Sequence, residues 1–155
     1  MMGGYIRSGD MENPSTSFTV RPAFPSDAAQ IVHLIHQMGP DSDLIEEYVL
    51  HYLTGTDRGI LLAQRGEQVV GLLSYSVRAD LYHAGNSVLI EELVVEQGCR
   101  GDGIGGSLMN VLLERLPGLD CKELCLAVMP ENEGAVRFYK RHGLVEEALF
   151  LERHF

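Results

Sequence analysis

Residues 90–106 read Ile-Glu-Glu-Leu-Val-Val-Glu-Gln-Gly-Cys-Arg-Gly-Asp-Gly-Ile-Gly-Gly. An apolar strand runs into Arg100, then a glycine-dense turn, then an amphipathic helix. That order presents free backbone N–H groups at a helix N-terminus, the natural seat of a phosphate. Gly101, Gly103, Gly105 and Gly106 leave room for a ligand to approach the backbone. Two carboxylates, Glu91 and Glu92, interrupt the apolar strand just before the turn. Strand alternation sends them to opposite faces, so that one can line a cleft while the other faces elsewhere. Farther along, Asn132 and Tyr139 stand seven residues apart, two helical turns on one face.

Two common phosphate motifs fail here. Gly101-x-Gly103-x-x-Gly106 satisfies GxGxxG, but a dinucleotide fold needs that motif directly after its first strand. Here it lies two-thirds of the way along the chain. No Gly-Lys-Ser/Thr follows, so the turn is not a Walker A loop.

The elements that must hold these residues follow from periodicity and breakers. Phe18 to Arg21 is a short strand before Pro22 and Pro25. Asp27 with Gln30 forms a capping box for a helix carrying Ile31, Leu34, Ile35 and Met38, stopped by Gly39-Pro40. Asp43 with Glu46 caps a second helix, ended by Gly55. Residues 60–65 and 69–78 are strands joined across Gly66-Glu67, and residues 79–86 form a loop. The strand 87–96 leads to the turn, and Ile104, Leu108, Val111, Leu112 and Leu116 give the next helix its buried stripe. A strand at 122–129, a helix at 132–142 with Gly143 as its C′ residue, and a last strand at 144–153 complete the order. This is one α/β domain over residues 18–155, and residues 1–17 read as an N-terminal tail without a signal-peptide core.

Composition narrows the function classes. The 155 residues carry a net charge of −10, which argues against a nucleic-acid binder. The charge suits a cationic partner and equally suits a plain solvated surface. Cys99, Cys121 and Cys125 match no zinc or redox spacing and fit a reduced, cytoplasmic setting. His33 and His36 lie on one helix face with no nearby carboxylate, so no metal is expected. No apolar run reaches membrane-spanning length. Tyr82 and His83, in the loop before the glycine-turn strand, read as exposed loop or as rim of an acceptor site. Asp41, Asp43, Glu46 and Glu47 make the second helix start acidic, as caps or as a cation-binding rim.

The fuller pattern is Arg100-x-x-Gly103-x-Gly105 after a strand, followed by a block with Asn132, Ala135, Phe138-Tyr139 and Gly143. Together with the element order, these residues resemble the GNAT acetyltransferase superfamily, which uses acetyl-coenzyme A (acetyl-CoA). Gln97 stands where that family often has Pro, and Leu144 where it usually has Phe. The resemblance implies an α/β (α+β) fold: a mixed, mostly antiparallel sheet of six to seven strands, flanked by four helices. The sheet would splay between the 87–96 and 122–129 strands. Leu93, Val94 and Val95 would then hydrogen-bond the pantetheine arm. Arg100, Gly101, Asp102, Gly103, Ile104, Gly105 and Gly106 would take the pyrophosphate. The resemblance gives Asn132 a role on the cofactor arm or as a helix cap. Tyr139 would be the general acid for the departing thiolate, against the alternative of a core aromatic. Glu91 matches a family position for the base that takes the amine proton, with Glu92 second and a water relay as the alternative.

The implied activity is transfer of an acetyl group to a primary amine, with a small cationic acceptor favoured over a protein N-terminus or lysine. A reading of another class is a non-catalytic acyl-CoA sensor. Homodimers are frequent in the superfamily, so a second copy is an implied partner. No nucleic acid, membrane or metal enters this picture.

Overall fold

The computed structural model describes residues 17–155, so all of the expected tail except Ser17 lies outside the described residues. The elements are β1 (Thr19–Pro22), α1 (Ala28–Met38), α2 (Glu46–Tyr52), β2 (Arg58–Arg65), β3 (Gln68–Asp80), β4 (Gly85–Val95), α3 (Ile104–Arg115), β5 (Cys121–Leu126) and α4 (Glu133–Arg141). The strands lie in sequence order in one sheet. β1 to β4 are antiparallel, and β5 joins β4 in parallel.

Each face of the sheet buries its own core. Leu61, Leu73, Val88 and Ile90 pack with Ile104, Leu108 and Leu112 of α3. Leu62, Leu72 and Val94 pack with Ile31 and Leu34 of α1 and Val49 of α2. The layers close tightly where small residues allow it. A Cβ on Gly71 would lie 2.6 Å from the Ile104 Cγ2 methyl, so the absent side chain sets how near α3 sits to the sheet.

Several expectations change. The sheet has five strands, not six to seven, and residues 144–153 join no ladder. That segment has no clean apolar face: Glu146-Glu147 puts charge on both sides and Leu149-Phe150-Leu151 puts carbon on both. β3 and β4 run on to Asp80 and from Gly85, so the expected loop 79–86 shrinks to a turn. Asp27 makes no capping box with Gln30. Its buried carboxylate accepts both Nη groups of Arg21 (2.8 Å each) and the Phe24 N–H (2.7 Å), tying β1 to the first helical turn. Gln30 instead accepts the Val69 N–H at 2.7 Å. Asp43 does not cap α2, whose N-cap is Ile45.

Candidate active site

The site is set by β4, which is paired differently along its two halves. Toward β5 it pairs only from Asn86 (with Cys121) to Ile90 (with Leu126). Toward β3 the ladder continues to Val95, opposite Gly71. Residues 91–95 therefore have one edge in the sheet and one edge facing a gap. This is the splay expected between these strands. Side by side with β5, those backbone groups would have been spent on a ladder.

The register breaks between Ser74 and Tyr75: Ser74 opposes Glu92 and Tyr75 opposes Ile90, leaving Glu91 as the extra residue of a β-bulge. The phase of β4 reverses there. Val88 and Ile90 face α3 before the bulge, and Leu93 and Val95 do so after it. The expectation that Glu91 and Glu92 point to opposite faces is thus corrected. Both carboxylates meet hydroxyls of the same face of β3. Ser76 Oγ donates to Glu91 Oε1 at 2.8 Å, and Ser74 Oγ donates to Glu92 Oε2. The Glu92 N–H, released by the bulge, donates back to Ser74 Oγ at 3.1 Å. Ser74 is buried.

Electrostatics distinguish the two acids. Burial pushes Glu92 above the ordinary carboxylate range, opposed by the Ser74 hydrogen bond and aided by the neighbouring Glu91 charge. Tyr52, reaching down from α2, is pushed up to about 12 by burial and by the Glu92 and Glu91 charges. Its hydroxyl donates to the Tyr75 carbonyl at 3.5 Å. Ser74, Ser76 and Tyr52 were not anticipated from sequence. The sequence carries no signal of the bulge, because residues 88–90 and 93–95 are all apolar and either phase is open.

The glycine turn lies at the end of β4. Gly101 and Gly103 have φ of 89° and 79°, left-handed values that a side chain resists. Gly103 is the N-cap of α3, so the first-turn N–H groups of Ile104, Gly105 and Gly106 point out of the helix end. Ile104 is buried and anchors that end, so only its backbone is offered to a ligand. Arg65 of β2 pins the turn, with Nη2 3.0 Å from the Asp102 carboxylate and Nη1 donating to Cys99 Sγ at 3.5 Å. Asp102 is thereby engaged within the protein. Arg100 is exposed and makes no ion pair among the described residues.

α4 packs beside the turn. A Cβ on Gly105 would stand 3.5 Å from the Phe138 ring and 3.9 Å from Val95, and one on Gly106 would stand 3.9 Å from His142. Tyr139 is half-buried in the same cluster as Leu93, Val95 and Leu126, and burial raises its phenol above the ordinary value. Asn132 caps α4, its Oδ1 accepting the Ala135 N–H at 3.2 Å. The end of β4 is held from the other side as well. Glu96 accepts Gln37 Nε2 at 2.6 Å and lies 3.4 Å from His33 Nε2, tethering α1. His36 contacts the Leu44 carbonyl instead.

Tyr82 and His83 stand at the opposite end of β4, away from the turn. His83 is held by Asp80 at 2.7 Å and lies 3.6 Å from Glu123. Asp80, His83 and Glu123 bring ligand atoms within 4.8 Å of one another, on an exposed corner. The three cysteines are free thiols. Among the described residues no helix is long and apolar enough to cross a membrane.

Comparison with known proteins agrees with this architecture. Residues 28–144 match the acetyltransferase (GNAT) family model. The chain is 25% identical over 150 residues to glucosamine 6-phosphate N-acetyltransferase 1 of Oryza sativa subsp. japonica, covering 90% of this chain and 88% of that protein. Among solved structures, the Arabidopsis thaliana glucosamine-6-phosphate N-acetyltransferase superposes with a TM-score of 0.77 at 20% identity, covering 90% of this chain and 99% of that one. A structure described as a transcriptional regulator from Bacillus halodurans C-125 gives a TM-score of 0.78 at 25% identity, covering 90% of this chain and all of that one (100%). The match spans the glycine turn, the splayed strand and Tyr139 alike, and the chain belongs to the GNAT acetyltransferase family.

Proposed function

We propose that this chain moves the acetyl group of acetyl-CoA to a primary amine by direct attack on the thioester. The observation that carries this reading is the free edge of residues 91–95, leading straight into the left-handed glycines at the start of α3. In this reading the pantetheine arm lies along Leu93–Val95 and completes the interrupted ladder. The pyrophosphate lies on the N–H groups of Ile104, Gly105 and Gly106, with Arg100 free to add charge.

Glu91 and Glu92 then face the acceptor together. We assign the base to Glu92, in place of the Glu91 chosen from sequence. Burial and the Ser74 hydroxyl hold it in one pose, and its raised pKa brings it nearer to that of the proton it must accept. Glu91 remains beside it as a charge for the ammonium group. The amine loses a proton to Glu92, directly or through one water, and its lone pair attacks the carbonyl carbon. The tetrahedral oxyanion collapses, the C–S bond breaks, the thiolate takes the Tyr139 proton, and the second proton lost by the nitrogen restores the Tyr139 phenol while Glu92 releases its proton to solvent. The products are the acetylated amine and free coenzyme A. Two acids on one face, with no ion-paired cation for either among the described residues, favour a small cationic acceptor over a protein N-terminus or lysine.

Thermal unfolding with and without acetyl-CoA, followed by thiol release against a panel of amines, tests this reading. Ligand at 100 times its Kd should stabilise by about 2.7 kcal/mol. A shift with thiol release for one amine class supports the enzyme. A shift without release for any amine, peptides included, would favour the acyl-CoA sensor, and the absence of a shift would remove the cofactor site.

A further inference from the structure

A polar cavity lies away from the glycine turn, sharing Tyr52 with the site of the two acids. It has a volume of about 220 Å³, and its walls include Tyr52, Arg58, Gly59, Tyr75 and Arg115. It exists because β1 stops early. Pro22 pairs with Leu61 and the Ala23 N–H reaches the Ile60 carbonyl, but the next residues back, Gly59 and Arg58, have no neighbour on that edge. Gly59 carries no side chain to fill the space, and the Tyr75 ring lies over it, 2.6 Å from where a Cβ would be.

Arg58 is held in one pose there. Its Nε donates to Asp57 at 2.9 Å, and its guanidinium stacks over the Tyr52 ring at 5.3 Å. Gly55 makes room for it: a Cβ at that position would come within 2.7 Å of the Arg58 Cζ. Both Nη groups of Arg58 remain without a hydrogen-bond partner among the described residues. Arg115, the last residue of α3, enters the same cavity from the other layer and makes no ion pair among the described residues. Arg58, whose only ion pair among the described residues is to Asp57 through Nε, and Arg115, which has none among them, thus line one cavity.

We infer that this cavity binds a small oxyanion, a carboxylate or phosphate group, between Arg58 and Arg115. Guanidinium forks match the geometry of such groups in two-point hydrogen bonds. The cavity walls reduce competition from water, and an anion there completes the donor sets that the protein leaves open. The site is separate from the glycine turn and would exist whether or not the chain transfers acetyl groups.

The test is thermal unfolding and two-dimensional NMR of the whole chain titrated with inorganic phosphate and with succinate, against sodium chloride at equal ionic strength. Expected is a saturable rise of several degrees with at least one of the two anions, with amide shifts confined to residues around 52–59, 75 and 115. Phosphate alone would mark a phosphoryl ligand, and succinate alone a carboxylate. Arg58→Gln and Arg115→Gln should each lower the anion affinity at least tenfold while leaving the acetyl-CoA shift intact. Should Arg58→Gln fail to fold, Arg115→Gln on the helix end carries the same test. No effect beyond chloride, or a rise that survives in a folded arginine variant, would overturn the assignment. The second outcome would place the anion elsewhere, at the glycine turn above all.

Discussion

The two halves of β4 obey different rules. From Asn86 to Ile90 the strand is flanked on both sides, and Val88 and Ile90 point into the core. From Glu91 to Val95 it is paired on one side only, its phase is reversed, and it carries both acids. One extra residue separates the halves. A regular strand buries its backbone and offers one acid per face. The bulged half keeps its backbone open toward the gap and turns both acids to the same side. In the proposed mechanism structure and chemistry are thus divided along a single strand, the first half fully paired and the second left with one open edge.

The largest test of that division acts across the gap. Tyr139→Phe should lower kcat a hundredfold or more while acetyl-CoA still raises the melting temperature, measured by thiol release and thermal unfolding on one preparation. An unchanged kcat would assign Tyr139 to packing alone. Next, Glu92→Gln should reduce kcat/KM by about a hundredfold and Glu91→Gln by less, the latter mainly through KM. The reverse ranking would restore the base to Glu91. Because the folded state raises the Glu92 pKa, its ionised form weakens folding as pH rises past the unfolded value, so Glu92→Gln should not destabilise the protein at neutral pH.

The pH profile sharpens the contrast further. In the proposed mechanism the rate needs Glu92 ionised and Tyr139 protonated. Hence kcat/KM should climb through a pKa above the ordinary carboxylate range and fall only above the ordinary tyrosine value. Ser74→Ala removes the bond that favours the carboxylate, so the acid limb should move to higher pH. A limb that stays put would mean that Ser74 serves the bulge and not the acid.

Smaller effects should follow the glycines. Gly71→Ala drives a methyl against Ile104 and should cost about 1–3 kcal/mol of stability, read by denaturant unfolding. Gly103→Ala forces a left-handed alanine and should weaken acetyl-CoA binding about tenfold, for a penalty of about 1–2 kcal/mol. Gly105→Ala meets only ordinary contacts, with Phe138 at 3.5 Å, and should change stability by less than about 0.5 kcal/mol.

The glycine turn was legible because backbone-built sites advertise themselves: left-handed angles and a bare helix end demand glycine at fixed spacing. The splay of β5 from β4 and the role of Asn132 came from the family resemblance, whereas the buried stripe of α3 and the strand β5 itself followed from equally local rules. The final strand did not, since a strand forms only against a neighbour, and residues 144–153 find none. The shared face of Glu91 and Glu92 was lost for a related reason. Alternation holds only while two strands keep register, and the slip between Ser74 and Tyr75 is a property of the pair.

Residue types and spacing by themselves determined one α/β domain and a glycine-dense turn leading into a helix N-terminus, while the roles of the acids and of Tyr139 rested on the family resemblance. Only the tertiary structure decided which way the acids point, which hydroxyls hold them, and that Arg58 and Arg115 meet around a cavity. Those are relations between strands and layers distant in sequence. They are set by register and packing, which no local pattern encodes.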